Sequence, residues 1–359
     1  MSDVLAGIVR EALQVGASDV HLTTDNPPVF RVNGEILISR RPPLDERALT
    51  HALDEILDVR LRSQWLATKR LSFAWSHAEL GLFRVSVYSH LGRMEASLRI
   101  GRKEIPGWQE LGVPKLLVDA ARGHSGLILV TGPTGVGKTT TLNAVLAEVH
   151  RTERKKIITI EDPVEFRMPA GRSLVVQQEV GLDTDSFHGA LVHALRQDPD
   201  VICIGEMRDL ETIGTALTAA ETGHLVLGTL HTTGAVGTIS RIIDVFPPHQ
   251  QNQVRVQLSQ TLRCMMSQRL LPMADGRGRI MVHELVPVTT AVRNIIREGK
   301  LHMLENVLQS GKSLGMVRLE SQVRQAFHRG LITREVAAQA VADPAILDEP
   351  PEPELADLR

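Results

Sequence analysis

The stretch Leu127-Ile-Leu-Val-Thr-Gly132-Pro-Thr-Gly-Val-Gly137-Lys138-Thr139-Thr140 decides the fold. An apolar run leads into G-x-x-x-x-G-K-[ST], and an amphipathic pattern over Thr140–Val149 follows. That order is strand, phosphate loop, helix. The glycines let backbone N–H groups turn inward around phosphate oxygens, Lys138 reaches the β and γ phosphates, and the Thr139 hydroxyl binds Mg²⁺. The helix beginning near Lys138 adds its positive end. Gly132, Pro133, Thr134, Gly135, Val136, Gly137, Lys138, Thr139 and Thr140 are therefore the candidate nucleotide-binding residues, with ATP and Mg²⁺ as the expected ligands.

Three further apolar runs, Lys156–Ile160, Val201–Ile204 and Leu225–Leu230, alternate with helical segments. Such alternation predicts an α/β domain with a mainly parallel sheet. In such sheets chemistry gathers at the C-terminal strand ends, and polar clusters stand at each of these. Ile157-Ile-Thr-Ile-Glu161-Asp162-Pro163-Val-Glu165 follows the first run. Val201-Ile-Cys-Ile-Gly205-Glu206-Met-Arg208-Asp209 resembles a Walker B strand, except that Gly205 stands where an Asp is usual. That leaves Glu206 to act on magnesium directly or through water, beside Thr139. Glu161 and Glu206 are the two candidate general bases, and spacing does not choose between them. His231, after Leu225–Leu230, could hydrogen-bond the γ-phosphate or Glu206; His224, before that strand, fits a packing role equally well.

Residues 1–100 have a different pattern. A helix is expected over 4–15, a strand from Ser18, and a hairpin from Val29–Val32 through Asn33-Gly34 to Glu35–Ile38. Leu44–Leu66 is mostly helical in pattern, and Leu71–Trp75, Leu82–Tyr88 and Met94–Ile100 look like antiparallel strands. This predicts a small α+β domain. Pro/Gly breaks make 101–112 the expected linker, 113–342 the ATPase domain with C-terminal helices, and the acidic, Pro-rich 343–359 a disordered tail.

Composition excludes several classes. The chain has 359 residues, 43% apolar, 3% aromatic, with a formal charge of −2. Near-neutral charge and scarce aromatics fit poorly with nucleic-acid binding. Cys203 and Cys264, far apart, form neither a zinc site nor a disulfide framework, and buried free thiols are expected. No apolar run approaches the ~18 residues of a membrane span, so any membrane contact would be through partners.

Taken together, the phosphate loop, the acidic box ITIEDPVEF, the degenerate Walker B LRQDPDVICIGEMRD and the histidine box ETGHLVLGTLHT resemble the secretion ATPase superfamily of type II secretion and type IV pili. The opening ASDVHL…PPVFRVNGEI and the segment Ala291–Glu298 look most like its pilus retraction ATPases of PilT type. That resemblance implies a RecA-like ATPase domain preceded by a PAS-like domain, a homo-hexameric ring, and Mg²⁺-dependent hydrolysis driving pilus retraction and twitching motility. It also implies a PilC-like inner-membrane platform protein as partner, a paralogous retraction ATPase as a possible second one, and a cytoplasmic location at the inner face of the membrane. Arg84 and Arg99 match the family's site-completing arginines. In Ala291–Glu298, Val292, Ile295 and Ile296 would face a core while Arg293 and Arg297 share the other face. Accessory PilU-type, pilus-extension and type II secretion ATPases are the alternatives within the superfamily. Outside it stand a RecA-like nucleic-acid motor and a regulatory subunit that binds ATP without hydrolysing it.

Overall fold

The computed structural model describes residues 3–32, 34–101 and 104–350, and it divides into two compact units. The first holds residues 1–105 with 162–168 and 181–183, and the second holds the remainder. The boundary at Ile105/Pro106 lies inside the expected linker. The assignment of 162–168 and 181–183 to the first unit was not foreseen, because those segments follow the second unit's strands in sequence.

The first unit is a six-stranded antiparallel sheet. Its strands are β1 (Asp19–Leu22), β2 (Val29–Val32), β3 (Glu35–Ile38), β4 (Arg70–His77), β5 (Gly81–His90) and β6 (Arg93–Ile100), in the order β3-β2-β1-β6-β5-β4. The β2–β3 hairpin forms as expected, although Asn33 of its turn lies outside the described residues. Helix Asp3–Gln14 buries Leu5, Ile8 and Val9 in the same core as Phe30, Phe83 and Leu98. The segment of mostly helical pattern holds two helices, Glu46–Asp54 and Val59–Thr68. Asp45 and Asp58 cap them by accepting from the Ala48 and Leu61 N–H groups at 2.7 Å. An Asp at an N-cap satisfies an otherwise orphaned donor, which is why Asp58 starts a new helix rather than continuing the old one.

The second unit carries a seven-stranded sheet in the order β13-β12-β7-β11-β10-β8-β9. The strands are β7 (Gly126–Thr131), β8 (Lys156–Glu161), β9 (Leu174–Glu179), β10 (Val201–Ile204), β11 (Leu225–Leu230), β12 (Leu262–Pro272) and β13 (Arg279–Pro287). All neighbours are parallel except β12 and β13. The four central strands, β7, β11, β10 and β8, are nearly continuous apolar runs because helices cover both faces. Cys203 and Cys264 are buried in this sheet as free thiols, and burial pushes Cys264 up to about 12.

Helix Thr290–Glu298 buries Val292, Ile295 and Ile296, as its spacing predicts, and leaves Arg297 exposed and Arg293 half-buried. A smaller apolar cluster joins Leu271 and Val282 of the β12–β13 hairpin to Val323, Ala337 and Leu347 of the C-terminal segments. Part of the segment 343–359, expected to be a disordered tail, packs onto this cluster. Pro344–Asp348 forms a 3-10 turn with Leu347 only 1% exposed. Arg334 grips Asp348 in a bidentate pair at 2.8 and 3.0 Å. Residues 351–359 lie outside the described residues.

Candidate nucleotide site

Strand β7 delivers the chain into the loop Gly132–Gly137, and helix Lys138–Thr152 receives it. Gly132 has φ 142°, and a Cβ there would stand 2.4 Å from the Gln268 carbonyl oxygen on β12. Both the backbone conformation and the close approach require glycine at this position. The Lys138 ammonium curls over the loop and donates to the carbonyls of Gly132 at 2.8 Å and Pro133 at 3.0 Å. Burial pushes its pKa down, opposed by the charge of Glu206. Thr139 and Thr140 lie half-buried in the first helical turn.

His231 leaves the end of β11 and stands against this loop. Its Nδ1 lies 3.2 Å from Thr134 Oγ1 and 3.5 Å from Lys138 Nζ, and its Nε2 lies 2.5 Å from Glu206 Oε1. His231 thereby bridges the phosphate loop and the Glu206 carboxylate. Glu206 also accepts from Arg208 Nε. Burial alone would raise the Glu206 pKa, but the Arg208 hydrogen bond and the neighbouring His231 outweigh it and hold it below the usual carboxylate range. Three strand ends thus meet in one line of contacts: Lys138 and Thr134, then His231, then Glu206.

Glu161 ends β8 and is 5% exposed. Its Oε1 accepts from Thr159 Oγ1 at 2.7 Å and Gln177 Nε2 at 3.1 Å. Gly205 explains the departure from the usual Walker B pattern. A Cβ there would sit 3.0 Å from the Ile160 carbonyl oxygen and 3.5 Å from Glu161 Cα, so an Asp side chain would crowd β8. Asp209, part of the same acidic run, caps helix Leu210–Glu221 by accepting from Thr212 N–H at 2.7 Å. His224 packs at that helix's end, with Nδ1 3.1 Å from the Ala219 carbonyl oxygen.

Arg84 and Arg99 belong to the first unit, where they face each other across β5 and β6. Arg99 Nε donates to Asp19 Oδ1 at 2.9 Å. Glu165, in the same unit, has a pKa raised by burial, with the Arg84 and Arg99 charges pulling it back down. The acidic box is therefore split: Glu161 stays with the second unit's sheet, and Glu165 joins the arginines.

The sequence reading missed a second set of polar residues, Ser267 and Gln268 on β12 and Glu284 on β13. Gln268 Nε2 donates to the Val136 carbonyl at 2.6 Å, and its Oε1 accepts from Thr141 Oγ1 at 3.0 Å. Ser267 Oγ accepts from Gly234 N–H at 2.9 Å, and Glu284 Oε1 from Ala235 N–H at 2.7 Å. Their only signal in the sequence is polarity inside otherwise apolar strand runs, where a buried polar group implies a partner.

The family model of the type II/IV secretion system proteins matches residues 1–338. The chain is 41% identical over 329 residues to the type IV pilus retraction ATPase PilT of Pseudomonas aeruginosa, covering 92% of this chain and 95% of that protein. To the type IV pilus ATPase PilU of the same organism it is 36% identical over 330 residues, covering 92% and 86%. Among solved structures, the crystal structure of the pilus retraction motor PilT with bound ADP superposes with a TM-score of 0.89 at 42% identity, covering 95% of this chain and 98% of that one. The chain belongs to the type II/IV secretion system protein family and, within it, to the PilT-type ATPases.

Proposed function

We propose that the protein is a hexameric motor ATPase that couples ATP hydrolysis to type IV pilus retraction and twitching motility. The observation that carries this reading is the contact line from Lys138 through His231 to Glu206, in a chain that matches a retraction ATPase over nearly its whole length.

Loop N–H groups and Lys138 hold the β and γ phosphates. Among the described residues no group of three His, Cys, Asp or Glu side chains forms a metal cage. One hydroxyl, Thr139, and one ionised carboxylate, Glu206, suit Mg²⁺, which takes most of its ligands from phosphates and water. Bound there, the ion would neutralise charge on the transferring phosphoryl group. Glu206 orients the attacking water. His231, bonded to both Glu206 and the loop, registers whether a γ-phosphate is present. Glu161 is the competing general base. Arg84 and Arg99, which match the arginines of PilT-type ATPases, are assigned to neutralising phosphate charge.

Hydrolysis in successive subunits would turn a PilC-like platform protein, placing the motor at the cytoplasmic face of the inner membrane. Among the described residues no helix is long and apolar enough to cross a membrane. The likeness to PilU supports an accessory retraction role as the second reading. Deleting the gene and counting surface pili separates the possibilities. Hyperpiliated, non-motile cells support retraction. Bald cells support extension. Normal pili with motility lost only under load support the accessory role.

A further inference from the structure

Ser267 and Gln268 are consecutive on β12, so their side chains leave opposite faces of the strand. The strand lies beside β7, with Ser267 paired to Thr131 at the point where β7 gives way to the phosphate loop. Gln268 then spans the loop from outside. Its amide ties the Val136 carbonyl to the Thr141 hydroxyl, linking the loop to the helix that follows it. Gln268, Thr141 and Val136 are 1%, 2% and 9% exposed. Donor and acceptor are both used, so the amide has one orientation, and neither contact is easily replaced by water.

The other face of the hairpin serves a different loop. Ser267 pairs with Glu284 across β12 and β13. Together they take the N–H groups of Gly234 and Ala235, which begin helix Ala235–Asp244 directly after the His231 turn. One hairpin thereby fixes both walls of the nucleotide site: the phosphate loop through Gln268, and the His231 turn through Ser267 and Glu284.

We propose that Gln268 is a positioning residue for nucleotide binding and that Glu284, with Ser267, is a positioning residue for His231, so that the β12–β13 hairpin holds the two in register. This rests on the nucleotide site proposed above. The two arms act on different quantities. A loosened phosphate loop weakens ATP and ADP alike, which raises KM and leaves kcat nearly intact. A displaced His231 affects the hydrolytic step and lowers kcat.

The test is steady-state phosphate release and fluorescent-ADP binding on the full-length protein. Gln268→Met is expected to raise KM for ATP and Kd for ADP about tenfold or more, with kcat within about threefold. Thr141→Val removes one bond of the same arm without touching β12, and should move KM and Kd in the same direction by less. Glu284→Leu should lower kcat about tenfold with ADP affinity retained, and Glu284→Gln, which keeps an acceptor for Ala235 N–H, should restore it. Wild-type KM and Kd in both Gln268→Met and Thr141→Val would overturn the proposal. So would variants in which only the melting temperature falls, or in which both arms change the same parameter. Lys138→Ala serves as the control: if it binds ADP normally, the nucleotide site itself has been misassigned, whereas its loss of binding beside a normal Gln268→Met refutes only the positioning role.

Discussion

His283 should make the ATPase unit acid-sensitive in a way that one substitution removes. It sits on β13 opposite Gln268, is 6% exposed, and its Nδ1 has no hydrogen-bond partner among the described residues. Burial pushes its pKa from 6.5 down to about 4. The unfolded chain therefore takes up a proton as pH drops below about 6.5, while the folded chain refuses it until about 4. Stability from this group is complete above pH 6.5 and is lost progressively as pH falls toward 4. Over that whole window it amounts to roughly 3 kcal/mol, and about 2 kcal/mol is gone by pH 5. For a unit of this size, 2 kcal/mol lowers the melting temperature by about 4–8 °C. Calorimetric melts of the nucleotide-free protein at pH 7.5, 6.5, 5.5 and 5.0 measure the effect, with His283→Gln as the reference that cannot charge. Both proteins lose stability through other groups, so the difference between them is the readout. The gap should widen in the variant's favour by about that amount between pH 7 and 5. Parallel curves for the two proteins would refute the assignment.

Three further outcomes are expected. Glu206→Gln should cut kcat for phosphate release by about a hundredfold or more while keeping ADP affinity, since it removes the ionised carboxylate and leaves the loop intact. A larger loss in Glu161→Gln than in Glu206→Gln would transfer the general-base role to Glu161. Leu347→Ala should destabilise the protein by about 2–4 kcal/mol, because a fully buried side chain is lost, whereas Asp348→Asn, which breaks an exposed ion pair, should cost under about 1 kcal/mol; denaturant melts giving the reverse order would sink this account of the C-terminal turn. Arg84→Ala and Arg99→Ala should lower kcat more than they weaken ADP binding, and unchanged turnover in both would remove the arginines from the site.

Legibility followed locality. The phosphate loop was readable because its eight residues act through their own backbone, and the strand before it and the helix after it are adjacent in sequence. Helix Thr290–Glu298 was readable because a 3.6-residue repeat is a local property. Strands β9, β12 and β13 did not stand out. β9 is half-exposed and half-polar, and β12 carries Arg263, Ser267, Gln268 and Arg269 within its apolar run. Those polar residues interrupt the pattern for the same reason they matter: each finds its partner elsewhere in the fold.

The sequence by itself determined that a phosphate loop opens a parallel α/β domain, that Glu161, Glu206 and His231 follow at strand ends, and which superfamily those boxes resemble. Tertiary structure decided how they combine. Parallel pairing places Ile204 beside Ile160 on one side and Gly228 on the other, and so brings Glu206 to His231. The same folding sends Glu165 to Arg84 and Arg99 while Glu161, four residues earlier, stays in the sheet. It also carries Gln268 across a separation of 132 residues to Val136. Side chains that act through their own neighbours leave a pattern in the chain; side chains that act through sheet register do not, because the number of residues between two strands bears no relation to their distance in the sheet.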